Sequence, residues 1–335
     1  MSVKSLLLAG ASLGLSLVAS VSVAAAPPAV AGKLAGPDGG WDYVTVDSSA
    51  GRAYVARTAG ISVFDLAGKT VSTIASDLTR THIALPINGG KELLVTVGST
   101  GEAVIIDART GLVRTRVKTG EKPDAAGFDP VSGLVWVMDN KGGGVALVNP
   151  TTGALDGKIA VEGALEFVVS NGQGKVFINV EDKNELVTID VASRKVIAHT
   201  PLAACDGPSG LAYDAAHDAT VSVCSNKLAV IVSGKTSQVV GTVAIGAGPD
   251  AAVYDAASQL VFVPAGREGK LYGLDAAKAS VVSVTPTQVS ARTANIDPAT
   301  GLIYLPAAAY GPPATPGARP SAVPGSFNLV VVSTR

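Results

Sequence analysis

The chain has 335 residues, and its 26 Lys and Arg stand against 27 Asp and Glu, which excludes a global attraction for nucleic acid or anionic lipid. Only 16% of residues are charged and 4% aromatic, while 38 Gly and 19 Pro mark a chain that turns often. With Val, Ala, Leu, Ile and Thr as the apolar material, that mix favours many short strands over long helices.

Residues 1–25 read as a secretory signal peptide. Lys4 supplies the positive start, "SLLLAGASLGLSLVASVSV" the apolar run, and small residues a cleavage site after Ala24 or Ala25. The expectation is a cleaved leader and a periplasmic or secreted protein. Residues 26–335 then form one domain, slightly more acidic once Lys4 is gone. No later stretch approaches the roughly 20 apolar residues of a spanning helix, so no membrane span is expected after cleavage.

A repeat begins immediately afterwards. "KPDAAGFDPVSGLVWV" at 122–137 returns as "GPDAAVYDAASQLVFV" at 248–263. The same cues recur throughout: a Pro-Asp-like pair, an apolar strand ending in Asp or Asn, a tight turn, and a second apolar strand. The turns start at Asp47, Asn88, Asp129, Ser170, Asp214, Asp255 and Asp297, spaced by 41, 41, 41, 44, 41 and 42 residues. Seven units of this period, each with about four strands, are the signature of a seven-bladed, all-β propeller with four-stranded antiparallel blades. Unit three reads "AAGFD" as strand a, "LVWVM" as b, "GVALVN" as c and "ALDGKIAV" as d, separated by turns rich in Gly, Pro, Asn and Asp. Unit seven stops one strand short. The missing outer strand is expected from residues 29–35, because "AVAGKLAGPDGG" matches "GTVAIGAGPDAA" at the end of unit five.

In such a ring the d-to-a and b-to-c connections surround one mouth of the central channel. Aligned d-to-a connections place Asp42, Asp124, Ser209, Asp250 and Arg292 at one equivalent position, with Glu166 one residue later and His82 one earlier. Taken singly, each acid reads equally well as a turn device that accepts backbone N–H bonds. As a cluster they read as a polar ligand-binding funnel. Asp42, Asp124, Glu166 and Asp250 also form a candidate oxygen-rich site for Ca²⁺ or Mg²⁺, although no strong metal motif is present. The blade-four turn "NVEDKNE" (179–185) is the most charged loop and lies on this face.

Cys205 and Cys224 flank the inner hairpin of blade five and return to similar height, so they are expected to form a disulfide in an exported chain. Free thiols or a soft-metal site are the alternatives. The stretch 307–326, rich in Pro, Ala and Gly, is a loop insertion in blade seven, read as either a lid over the funnel or a tolerated insertion. Of the histidines, His199 falls on an outer strand and His217 in a far-face turn, leaving His82 at the channel. No nucleophile–base constellation or catalytic signature accompanies it, so no catalytic residue is assigned.

The segments "GGWDYVTVDSSAGRAYVA", "KPDAAGFDPVSG", "NVEDKNELVTID", "CDGPSGLAYD", "ARTANIDPATGLIYLP" and "VPGSF" resemble the YncE-like, YVTN-repeat β-propeller proteins of bacteria. That resemblance spans all seven units and implies an extracytoplasmic propeller. Some members are described as DNA-binding, but a chain without a basic stripe or interleaved aromatics gives no support for nucleic acid as a partner. The leading expectation is a monomeric binding protein whose small ligand or protein partner docks at the channel mouth. Two alternatives stay open: a lactonase-like, metal-dependent hydrolase with His82 or a carboxylate as base, and a scaffold that recruits a protein.

Overall fold

The computed structural model describes Met1, residues 26–313, residue 315 and residues 320–335. The expected leader, apart from Met1, and residues 314 and 316–319 of the Pro/Ala-rich insertion lie outside the described residues.

Burial pattern separates inner from outer strands. Strand b of blade three, Leu134–Asp139, is buried at every position, whereas strand d of blade two, Val113–Lys118, alternates exposed and half-buried residues. The inner strands are solid apolar runs because a neighbouring blade covers each face; the outer strands lose that cover and revert to period two. The described strands assemble into seven four-stranded antiparallel sheets, in which six blades take their strands in chain order from a to d. Blade three matches the expected layout, with strands at Pro123–Asp129, Leu134–Asp139, Val145–Val148 and Leu155–Ile159.

Blade seven is completed from the other end of the chain. Asn295–Asp297, Leu302–Ala307 and Asn328–Ser333 form strands a to c, and Ala29–Ala35 pairs antiparallel with the last of these as strand d, Lys33 opposite Val330. The Thr285 hydroxyl of blade six donates to the Pro28 carbonyl at 3.0 Å and pins the incoming strand. A ring closed this way leaves no uncovered blade face between the first and last units. Among the described residues no helix is long and apolar enough to cross a membrane.

The repeated Asp of the a-to-b turns has a structural job. Asp129 accepts the backbone N–H and hydroxyl of Ser132 within its own turn, and its other oxygen accepts the Ser170 hydroxyl of the next blade at 2.5 Å. Asp297 holds its own turn and takes the Ser48 hydroxyl at 2.6 Å, latching blade seven to blade one. These carboxylates cap a turn and staple adjacent blades on the face opposite the mouth.

Candidate functional site

In blades one to five each inner strand begins with one antiparallel pair and is then interrupted by a bulge. The first pairs are Trp41 with Arg57, Thr81 with Val97, Pro123 with Asp139, Leu165 with Val180 and Pro208 with Cys224; in blade six the isolated bridge Pro249–Ala265 takes that place. The residue after each pair is therefore Asp42, His82, Asp124, Glu166, Ser209 and Asp250, and Arg292 follows in blade seven. The one-residue offsets expected for His82 and Glu166 are corrected by this register: both occupy the same tier as the others. Gaps in loop sequence hid the equivalence, because hydrogen-bonded pairing rather than the preceding loop sets register.

Buried polar groups of the preceding blade orient this tier. Thr96 donates to the Asp124 carbonyl at 2.6 Å, Asn179 to the Ser209 carbonyl at 3.0 Å and Thr293 to the Asp42 carbonyl at 3.0 Å. The d-to-a connections are in turn held by side chains of the b-to-c turns. Asp139 accepts the Glu121 and Lys122 N–H groups, Asp182 that of Ala164, Asn226 that of Asp206 and Glu268 that of Ala247. Among the described residues Asp42, Asp124 and Asp250 make no such contact to a backbone N–H, so the turn-device reading does not account for them.

Instead the tier is wired sideways. Asp250 accepts from Arg292 at 2.9 Å, and Arg292 reaches Asp42 at 3.8 Å. Asp42 meets His82 Nδ1 at 2.7 Å, His82 meets Asp124 at 3.5 Å, and Asp124 meets Lys122 at 3.4 Å. Lys122 donates to Asn140 Oδ1 at 2.9 Å, and Asn140 donates to Glu166 at 2.5 Å. The chain of contacts is a horseshoe through blades six, seven, one, two, three and four, with a carboxylate at each end. Blade five fills the gap with Ser209, whose hydroxyl lies 3.5 Å from the Pro249 carbonyl.

Below the horseshoe Tyr43 of blade one and Phe167 of blade four meet in a tilted contact, with ring centroids 5.2 Å apart and planes at 53°. Those blades share no sheet and stand three positions apart, so rings that meet must do so at the axis. The two rings form the floor of a cup beneath the horseshoe.

The enclosed geometry sets the charge states. Burial pushes the Glu166 carboxyl up to about 9, with the charges of Asp124, Glu181 and Asp250 adding to it. Burial, with Asp42, also raises Asp124 against the opposing pull of His82 and Lys122. Asp250 is raised by burial despite its Arg292 partner. With 30% of its side-chain surface open to solvent, screening moderates this rise. For His82, burial works toward the neutral ring, but the Asp42 hydrogen bond and the charges of Asp124 and Asp42 outweigh it and raise its pKa. Tyr43 lies well above the ordinary phenol range through burial and the charges of Asp250, Glu166, Asp124 and Asp42.

A metal can be tested against these donors. Asp42, His82 and Asp124 offer three ligand atoms within 4.8 Å of one another, a nitrogen and oxygen set suited to Zn²⁺ or Mn²⁺. Glu166 and Asp250, expected as partners in a Ca²⁺ or Mg²⁺ site, are engaged elsewhere, by Asn140 and Arg292. His82 Nε2 is buried without a hydrogen-bond partner, so a metal on Nδ1 would leave an orphan N–H where such ligands normally donate to a second group. The fit is poor.

Two other features frame the mouth. A disulfide joins Cys205 to Cys224, as the spacing predicts, and fixes the blade-five hairpin beside Gly207, Ser209 and Ser225. These line a cleft of about 380 Å³ that also contains Glu181, Asp250, Arg267 and Arg292. The insertion in blade seven is anchored by Phe327, which packs on Trp41 at 5.2 Å beneath the Arg57 guanidinium at 3.8 Å, while Tyr310 sits 6.4 Å from Trp41. His199 is on an outer strand beside Glu185, and His217 closes on Asp214 in a far-face turn, as expected.

Sequence reasoning missed Lys122, Asn140, Tyr43 and Phe167. Tyr43 and Phe167 were findable as the two large aromatics at a register where other blades carry Ile83, Ala125, Gly210, Ala251 and Thr293.

No protein-family model matches the chain, and no curated protein sequence matches it. Solved structures do match in shape. The WD40 β-propeller domain of Doa1 superposes with a TM-score of 0.72 at 14% identity, covering 92% of this chain and 97% of that one. A chain of hydrazine synthase from Kuenenia stuttgartiensis superposes with a TM-score of 0.70 at 12% identity, covering 79% of this chain and 92% of that one. At such identities the likeness shows the fold, a seven-bladed propeller, and nothing of ligand or reaction.

Proposed function

We propose that this chain is an extracytoplasmic binding protein of the YVTN-repeat kind, without catalysis, that takes a small polar ligand in the cup at its channel mouth. One observation carries the reading: six of seven equivalent backbone positions present a linked set of titratable groups above the Tyr43–Phe167 contact. Packing alone does not call for carboxylates held above their ordinary pKa, and such perturbed clusters in a cleft mark binding sites. The disulfide suits an oxidising compartment, the leader-like residues 1–25 support export, and the repeat segments support the family assignment. Among the described residues His82 bonds to carboxylates and to no hydroxyl or thiol, which favours binding over nucleophilic chemistry.

The test is a melting screen of the purified protein against sugars, amino acids, amines, carboxylates and nucleosides, run in parallel on Asp124→Asn. A ligand at a hundredfold excess over its Kd adds about 2.7 kcal/mol to stability. The reading expects at least one compound whose shift is lost in the variant. Shifts shared equally by both proteins would reject the cup. The metal-dependent hydrolase is kept as a second reading because of the Asp42–His82–Asp124 spacing. Elemental analysis of the purified protein, with melts in Zn²⁺, Mn²⁺, Ca²⁺ and Mg²⁺, decides it.

A further inference from the structure

Charges in the horseshoe alternate. Asp250, Arg292, Asp42, His82, Asp124 and Lys122 run acid, base, acid, base, acid, base, and Asn140 then hands on to Glu166. Across the gap the alternation fails. Glu166 and Asp250 occupy the same tier in blades four and six, on either side of Ser209, which is no base, and the charge of Glu181 in the blade-four turn acts on both. The 380 Å³ cleft lies on the blade-five and blade-six side of this gap, lined by Ser209, Glu181 and Asp250 together with Arg267 and Arg292, and Glu166 stands outside its lining. Underneath, Tyr43 is 4% exposed, and among the described residues its hydroxyl has no hydrogen-bond partner although four carboxylates of the cup act on it.

We infer that the gap over blade five is the recognition point of the cup, and that its ligand is a small primary ammonium compound whose –NH₃⁺ supplies the missing base between Glu166 and Asp250. This rests on the ligand-binding reading above and gives it a chemical class. An ammonium group has three N–H donors and needs about three acceptors, for which Glu166, Asp250 and the Ser209 hydroxyl are the candidates. Ca²⁺ takes about six or more oxygens, and here Glu166 Oε1 and Asp250 Oδ2 are already committed to Asn140 and Arg292. The organic part of the ligand extends into the cleft along Gly248, Val289 and Ser290. Arg267, exposed in the cleft lining beside Gly248 and without an ion-pair partner among the described residues, disfavours a second cationic end and accepts an anionic one.

Calorimetric titration with n-butylammonium chloride tests this, with n-butanol, Ca²⁺ and Zn²⁺ as further titrants. Binding of the ammonium is expected to ionise Glu166, releasing up to about one proton at pH 7.5, and the affinity rises with pH toward 9. Glu166→Gln and Asp250→Asn are each expected to weaken binding at least tenfold, and Glu166→Gln also abolishes the proton release. Glu121→Gln removes a charge from the same face outside the gap and leaves affinity within twofold. The inference is overturned by butanol binding as well as butylammonium, by undiminished binding in both gap variants, or by metal uptake that butylammonium does not compete. A neutral or anionic ligand whose effect is lost in Asp124→Asn would sink the ammonium assignment while leaving the binding cup in place. Circular dichroism of each variant shows that it is folded, and two independent gap variants keep the result readable if one is not.

Discussion

Replacing Asp139 with alanine removes the post that holds Lys122 and Asn140 in the horseshoe. Its carboxylate accepts four backbone N–H groups: Glu121 at 2.8 Å, Lys122 at 2.9 Å, Lys141 at 3.2 Å and Gly142 at 3.1 Å. Hydrogen bonds to a charged group contribute about 1.5–3 kcal/mol each. All four donors belong to surface loops, where water replaces much of the lost acceptor, so about 1 kcal/mol apiece is the appropriate scale. The expected loss is about 3–4 kcal/mol for Asp139→Ala and about half that for Asp139→Asn, which keeps one carbonyl acceptor. Because a Cβ at Gly120 would run into the Asp139 carboxylate, Gly120→Ala should be costly alone and less so in the Asp139→Ala background, where only the close approach to the retained Cβ of residue 139 remains. Burial raises the Asp139 pKa, but these N–H bonds outweigh it and hold the group below its ordinary value. Its stabilisation is therefore complete above the unfolded carboxyl pKa of about 3.9 and disappears as pH falls through the lower folded value. Urea unfolding of wild type, both single variants and the double variant, at pH 7 and again below pH 4, measures every term. A loss under about 0.5 kcal/mol at pH 7, or a difference that does not shrink in acid, would refute the reasoning.

The remaining predictions concern charge states, the staple and the closure. Glu166, whose carboxyl sits at about 9, costs folding stability as pH rises from its unfolded value through that range; Glu166→Gln should raise the melting temperature at pH 8 and flatten the pH dependence above pH 5. His82 has a raised pKa, so its contribution is full below about 6.5 and lost as pH climbs through the folded value; NMR titration should show it losing its proton above that ordinary value, and a midpoint at or below it would contradict the site. Cys205 and Cys224 are 19 residues apart, so reduction or the double serine variant should cost about 3 kcal/mol by loop entropy, read as a lower denaturation midpoint. Phe327, 1% exposed between Trp41 and Arg57, should cost about 3–5 kcal/mol as alanine and loosen the end-to-end closure, seen as faster hydrogen exchange in Ala29–Ala35 and Asn328–Ser333.

The number of blades, their strand order and the closure by residues 29–35 were legible in the chain itself, because each depends on local signals: turn residues at a fixed period and apolar runs of strand length. The cysteine pair was legible for the same reason, since its two strands form one hairpin. The mouth residues were legible as odd positions in a repeat, but not as a site. Whether an acid there serves its own turn or a neighbouring blade is a matter of direction, and direction follows from the bulged register after each first pair. That register put His82 and Glu166 level with Asp42 and Asp250. Tyr43 and Phe167 stand out at their register, but their contact was not legible, because they are 124 positions apart and meet only in the finished ring. The order of residues determines each blade, since a blade is made of neighbours. The cup, with its line of charges and its gap, exists only when seven blades curve far enough to face one another, and that curvature belongs to the packing between sheets.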